Sequence, residues 1–235
     1  MLSKPHFFPM GDQALIVEFG DRVDPALSAQ IAAVAQLLRE SRPIGVLDIV
    51  PAYSTLALHY DPAAVGAGAS PYEALVETVG TWLKTLSVET LPAGHLIEIP
   101  VCYGGTFGED LQALAQSHNL SVEEVIAIHS AASYHVHMLG FVPGFAYLGG
   151  LDERLATPRR ATPRPHVPAG SVAIGGAQTG VYPLDTPGGW QIIGRTPLRL
   201  FKSDAVPPSL LNAGDTVRFV PISAQEFEAQ SKATA

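Results

Sequence analysis

Three arginines, Arg159, Arg160 and Arg164, stand among four prolines, Pro158, Pro163, Pro165 and Pro168. A guanidinium fork meets a carboxylate or a phosphate with two parallel hydrogen bonds. Proline rings stiffen the chain that carries the arginines, so less freedom is lost when an anion is gripped. The segment reads as an anion-binding or partner-binding stretch, or as a solvated or intersubunit loop. Pro187-Gly188-Gly189-Trp190 follows, where two glycines allow a tight turn and close approach to the backbone. Trp190 then offers a flat apolar face and one N–H donor. The run Phe141-Val142-Pro143-Gly144-Phe145-Ala146-Tyr147-Leu148-Gly149-Gly150 is a second aromatic and glycine loop. Aromatic faces, glycine turns and arginines together describe a pocket or docking groove better than a core.

Other reactive residue types are sparser. His135-x-His137 places two imidazoles on one face of a strand, but no third metal ligand stands at a fixed spacing. Half-exposed strand histidines are the expectation. His129 reads as a boundary or core histidine. The one cysteine, Cys102, lies in an apolar run and reads as a small buried hydrophobe with an ordinary pKa. Gly175-Gly176-Ala177-Gln178-Thr179-Gly180 is glycine-rich without the lysine of a phosphate loop, and reads as a tight β-turn. Neither a nucleophile elbow nor a paired-histidine zinc motif occurs.

Composition sets the frame that must position these groups. The 235 residues are 47% hydrophobic and only 15% charged, which excludes wholesale disorder. The net charge of −8 argues against nonspecific nucleic-acid binding. Charge is uneven: residues 1–100 carry 11 acids and 5 bases, whereas Arg154 to Arg199 holds six arginines and one acid, Asp185. Half of the 22 glycines lie between Gly140 and Gly194, so chemistry is expected in that basic, glycine-rich island. No apolar stretch reaches the ~18 residues of a membrane span. The start, MLSKPHFFPMGDQ, shows no signal-peptide pattern, so a cytoplasmic protein is expected.

The first 94 residues read as an α+β domain. Ala14–Phe19 is an apolar strand. Asp24-Pro25 opens a helix with a capping side chain and a proline at its first position, and Ile31, Val34, Ala35 and Leu38 follow at helical spacing. Val46–Val50 and Thr55–Tyr60 read as two strands. Ser70-Pro71-Tyr72-Glu73 opens a helix to about Leu86. With a strand at His95–Cys102, the order is the ferredoxin-like β-α-β-β-α-β. A helix is expected at Phe107–His118, and Ser121-Val122-Glu123-Glu124 caps another through His129. Short apolar runs between glycines and prolines then continue to about Val220, the rhythm of a β-sandwich or barrel. Residues 95–222 form this second domain, and the polar tail 223–235 closes with a short helix.

Four stretches resemble a known family: Met138–Leu151 (MLGFVPGFAYLGGL), Pro158–Gly176 (PRRATPRPHVPAGSVAIGG), Gln178–Pro183 (QTGVYP) and Pro187–Phe201 (PGGWQIIGRTPLRLF). They are similar to the 5-oxoprolinase B-subunit family, also called KipI-like or allophanate hydrolase subunit 1. The resemblance runs from Gly11-Asp12-x-Ala14 to Gly214-Asp215-x-Val217-x-Phe219, nearly the whole chain. It implies a small N-terminal α/β domain followed by a mainly β, cyclophilin-like barrel. It implies work with the 5-oxoprolinase C subunit in direct contact, and with a separate A subunit. Together they would open 5-oxo-L-proline to L-glutamate at the expense of ATP bound at or near a subunit interface. No metal, nucleic acid or membrane is implied.

Phosphorylating a lactam oxygen calls for positive charge beside phosphate and carboxylate. On that reading Arg159, Arg164 and Arg195 are the cations. The backbone at Gly175, Gly176, Gly188 and Gly189 offers N–H donors, with Gln178 beside them. His135 is the acid/base candidate, since histidine titrates near neutral pH. Phe141, Pro143, Phe145, Tyr182 and Trp190 line a pocket or a partner surface. The resemblance leaves two alternatives: an inhibitor of a sensor histidine kinase, and part of a biotin-dependent carboxyltransferase whose biotin comes from a partner, since no Met-Lys-Met motif occurs here.

Overall fold

Two compact units, Met1–Gly94 and His95–Ala235, make up the computed structural model, which describes residues 5–66, 70–86 and 91–234. The first unit contains β1 (His6–Pro9), β2 (Ala14–Glu18), α1 (Pro25–Ser41), β3 (Val46–Ala52), β4 (Thr55–Tyr60), α2 (Pro62–Val65) and α3 (Pro71–Lys84). Its helices start where the capping residues stand. The Asp24 side chain accepts the Leu27 N–H, and the Ser70 hydroxyl accepts the Glu73 N–H. The sheet order is β1-β2-β4-β3, every neighbouring pair antiparallel. Alternate residues Leu15, Val17, Leu56 and Leu58 meet the helical stripe of Ile31, Val34 and Leu38 and the α3 residues Leu75 and Val79 in one core.

The expected β-α-β-β-α-β order is corrected at both ends. A strand absent from that reading, β1, forms one edge of the sheet, and Phe7 packs against its core. Its four residues are too few for a periodic signal. The strand expected to complete the sheet, β5 (Leu96–Tyr103), belongs to the second unit. Its inward-facing Ile97, Ile99, Val101 and Tyr103 join the core there.

The second unit continues with α4 (Leu111–Ser117), α5 (Val122–Ala131), β6 (Tyr134–Leu139), β7 (Ala146–Gly149), β8 (Arg164–Val167), β9 (Ser171–Gly175), β10 (Gln178–Val181), β11 (Thr186–Gly188), β12 (Gln191–Arg195), β13 (Thr216–Pro221) and α6 (Ala224–Thr234). Seven strands close a barrel in the order β10-β7-β6-β13-β5-β12-β9. The β5–β13 pair is parallel and the other pairs are antiparallel. Val136, Leu148, Val172, Ile174, Ile193, Val217 and Phe219 lie in its core. The short pair β8 and β11 forms a separate ribbon.

The expected capping box is present in both halves: the Ser121 hydroxyl accepts the Glu124 N–H, and the Glu124 carboxylate accepts the Ser121 N–H. The helix expected from Phe107 begins instead at Leu111, because residues 104–108 make a turn and the Asp110 carboxylate caps nothing. That carboxylate is engaged with two arginines and the β12 backbone.

His129 reaches from α5 into the core and is fully buried. Its ring stacks on Phe219 at 4.6 Å. The Thr179 hydroxyl donates to the Ala173 carbonyl, so it accepts from His129 Nε2 at 2.9 Å. Nδ1 then accepts the Tyr103 O–H at 2.8 Å. One neutral tautomer thus has both nitrogens satisfied, and burial pushes the His129 pKa down to about 3.

Candidate functional site

A second apolar cluster, of Phe145, Val167, Ala173, Tyr182, Trp190 and Ile192, is separate from the main barrel core. Trp190 is its platform. The indole lies so close to the β9 backbone that a Cβ on Gly175 would stand 2.5 Å from it, and only glycine fits. Phe145 meets the indole edge-on at 5.6 Å. The Tyr182 hydroxyl is seated where a Cβ of Gly188 would fall and accepts the Trp190 backbone N–H. Burial raises the Tyr182 pKa, against that hydrogen bond and the nearby charges of Arg159 and Arg164, so the phenol stays neutral.

These rings enclose a pocket of about 240 Å³, lined by Phe141, Phe145, Tyr147, Arg159, Pro163, Tyr182, Pro187, Gly188, Gly189 and Trp190. Phe141 holds a left-handed backbone, φ 70°, and is 61% exposed at the rim, edge-on to Phe145 at 5.5 Å. A bulky residue in that region costs on the order of 1–3 kcal/mol, and such strain gathers at binding sites. Arg159 supplies the pocket's cation, with its guanidinium 5.7 Å from the Trp190 ring centroid.

Asp110, only 7% exposed, lies behind this wall. Its Oδ1 accepts from Arg164 at 2.7 Å and Arg160 at 3.1 Å, and its Oδ2 accepts the Ile192 N–H at 2.7 Å. Glu109 stands 3.7 Å from Arg164. Of the three neighbouring arginines, two are paired; among the described residues Arg159 has no ion-pair partner.

The structure gathers some of the sequence-derived site and disperses the rest. Phe141, Phe145, Tyr182, Trp190, Arg159, Gly188 and Gly189 meet in the pocket. Arg164 turns toward Asp110. Pro143 is exposed beside the rim and outside the lining. Gly175 underlies the indole, and Gly176 uses its N–H and C=O on Thr157 in an isolated antiparallel bridge. Gln178 pairs with Gly175 on the neighbouring strand.

Arg195 lies on β12 opposite Ser171 and Cys102, away from the pocket lining, and its buried Nε has no hydrogen-bond partner among the described residues. His135 lies on β6 and meets His137 edge-on at 5.1 Å. Burial lowers the His135 pKa against the pull of Asp215; burial and the neighbouring His135 bring His137 to about 4. Burial pushes the Cys102 thiol up, where an ordinary value was expected. Among the described residues no three acidic, histidine or cysteine side chains gather as a metal site.

Sequence reading missed Asp110 as part of this region, whereas Tyr147, Pro163 and Pro187 stood in the quoted motifs without being named as lining. Tyr147 carried a signal, standing two residues after Phe145 in the same aromatic run, and its ring meets Phe145 edge-on at 5.1 Å. Asp110 did not, because an acid at the start of a helix already has an explanation in the dipole.

Comparison with known proteins matches this architecture along most of its length. The family described as carboxyltransferase domain, subdomain C and D, matches residues 5–211. The 5-oxoprolinase B subunit of Bacillus subtilis (strain 168) is 44% identical over 225 residues, 94% of each chain. That of Escherichia coli O157:H7 is 42% identical over 221 residues, 94% of this chain and 97% of its own. The crystal structure of TTHA0988 is 36% identical with a TM-score of 0.77, covering 90% of this chain and 40% of that longer one. A mixed α/β chain with a closed barrel, matched almost end to end by relatives above 40% identity, belongs to the carboxyltransferase subdomain C and D family, among proteins named as the B subunit of 5-oxoprolinase.

Proposed function

We propose that this chain is the B subunit of an ATP-dependent 5-oxoprolinase, acting with a directly bound C subunit, with an A subunit, and with 5-oxo-L-proline received in its aromatic pocket. The near full-length identity to proteins of that name carries the reading. The substrate is a flat five-membered lactam bearing one carboxylate. Its ring suits the faces of Trp190 and Phe145, and its carboxylate suits Arg159, the pocket's cation. A cavity of about 240 Å³ with one guanidinium is smaller than the ~300 Å³ lower bound usual for ligand pockets, so it fits this acid and not a nucleoside triphosphate. ATP is assigned to a surface completed by a partner chain, and supplies there the phosphoryl group that activates the lactam oxygen. This chain's residues hold the carboxylate, orient the ring and keep water off its faces. Among the described residues no helix is long and apolar enough to cross a membrane, and the cytoplasm is the proposed compartment.

The test is 5-oxoproline-dependent ATP hydrolysis by the three subunits together and with each omitted. Turnover that needs all three is expected. A charge-assisted hydrogen bond contributes ~1.5–3 kcal/mol, so Arg159→Ala should raise KM for 5-oxoproline by roughly 10–100-fold with the complex intact. An unchanged KM removes Arg159 from substrate binding. No turnover from a folded, assembled complex moves the assignment to the kinase-inhibitor or carboxyltransferase reading.

A further inference from the structure

One carboxylate holds both sides of the Arg159–Trp190 contact. On one side, Asp110 Oδ2 accepts the N–H of Ile192, two residues beyond Trp190. On the other, Oδ1 takes Arg160, the residue after Arg159, and Arg164, the residue after the pocket-lining Pro163. Two further bonds tie the same edges together: the Arg160 N–H donates to the Gly189 carbonyl at 2.7 Å, and the Gln191 side chain donates to the Pro158 carbonyl at 3.0 Å. The charges are arranged to the same end. Asp110 and Glu109 offset Arg160 and Arg164, which leaves one positive charge over, at the pocket. Asp110 stands at the N-cap position of α4 yet makes no capping bond, so its carboxylate serves this contact and not the helix.

We propose that Asp110 is a positioning residue, which sets the Arg159 guanidinium over Trp190 by clamping Arg160, Arg164 and the β12 backbone at one buried point. Its consequence for the substrate rests on the pocket reading above; the positional claim does not. Asp110→Asn keeps the size and an acceptor but replaces charge-assisted bonds with neutral ones of about half the strength. Arg160 and Arg164 are then underneutralised, and the segment carrying Arg159 loosens.

The experiment uses the full-length chain in a Trp82→Phe background, where Trp190 is the sole indole. Emission and acrylamide quenching of Trp190 are read for the parent, for Arg159→Ala as the reference displacement, and for Asp110→Asn. Asp110→Asn is expected to change both readings in the direction of Arg159→Ala, and Asp110→Glu to restore at least part of the parent signal. In the assembled complex, KM for 5-oxoproline should rise by about ten-fold with kcat held within about two-fold. A parent-like Trp190 signal and KM, with only a lower unfolding midpoint, would make Asp110 a brace for the fold and overturn the proposal. If Asp110→Asn does not fold, Arg160→Gln removes one limb of the clamp and is judged by the same readings. The fluorescence needs no substrate or partner, so an absence of 5-oxoproline turnover in the parent counts against the proposed function and leaves the test of Asp110 standing.

Discussion

His129 is neutral because of its surroundings, and this has a measurable sign. Its unfolded pKa is near 6.5, and its folded pKa is about 3. Above pH 6.5 both states are neutral and the group adds no pH dependence. Below it the unfolded chain takes up a proton that the folded chain refuses, so stability falls with pH at about 1.4 kcal/mol per unit for this one proton. His137, brought to about 4, acts in the same direction from the same starting value. Urea unfolding at pH 7, 6 and 5 should therefore show a progressive loss in the parent. His129→Gln should be less stable at pH 7 yet lose less between pH 6.5 and 5; an identical slope would mean that this histidine is not held neutral. At this scale the sequence was legible where a residue type has few uses. Trp190 behind two glycines and the Phe141–Phe145 loop had no easy place in a core, and they line the pocket. Arg159 and Arg164 are the same residue type five positions apart. Only the fold decides that one faces the pocket and the other faces Asp110.

Elements bring the pocket together through close backbone approach. Trp190 rests on β9 and β10 because Gly175 and Gly180 leave the strands bare at its plane. Gly175→Ala would drive a methyl into the indole, at a cost of about 1–3 kcal/mol for overpacking. The expected result is a lower unfolding midpoint together with altered Trp190 fluorescence. A loss of stability with Trp190 emission unchanged would contradict this packing. Helix starts were readable at Asp24, Ser70 and Ser121, where the side chain caps, but the four-residue α2 behind its cap Asp61 went unread. They were misread at Phe107, where the following acid has other partners. The ribbon of β8 and β11 was hidden for a related reason: Arg164-Pro165-His166-Val167 carries proline in a strand that pairs on one side.

For the molecule as a whole, the rhythm of short apolar runs left sandwich and barrel open and the family resemblance implied a barrel, but how it closes was not legible in the chain itself. It depends on β5 meeting β13 more than a hundred residues later, and nothing local records such a pairing. The same distance misassigned β5 to the first unit's sheet. That pairing also determines how the barrel responds to pulling. Residues Leu96–Val101 run parallel to Thr216–Pro221, so tension applied at His95 and at Ile222 draws the two strands along each other in opposite directions. Their hydrogen bonds lie across that direction and are loaded together rather than peeled one after another. With handles at His95 and Ile222 of the full chain, force spectroscopy should show the barrel yielding in one high-force event. Handles at His135 and Gly149, the open ends of the antiparallel β6–β7 hairpin, should unzip that pair progressively at lower force. A motor protein drawing this chain in from its C-terminal side would meet its greatest resistance at the strand where the barrel is sealed.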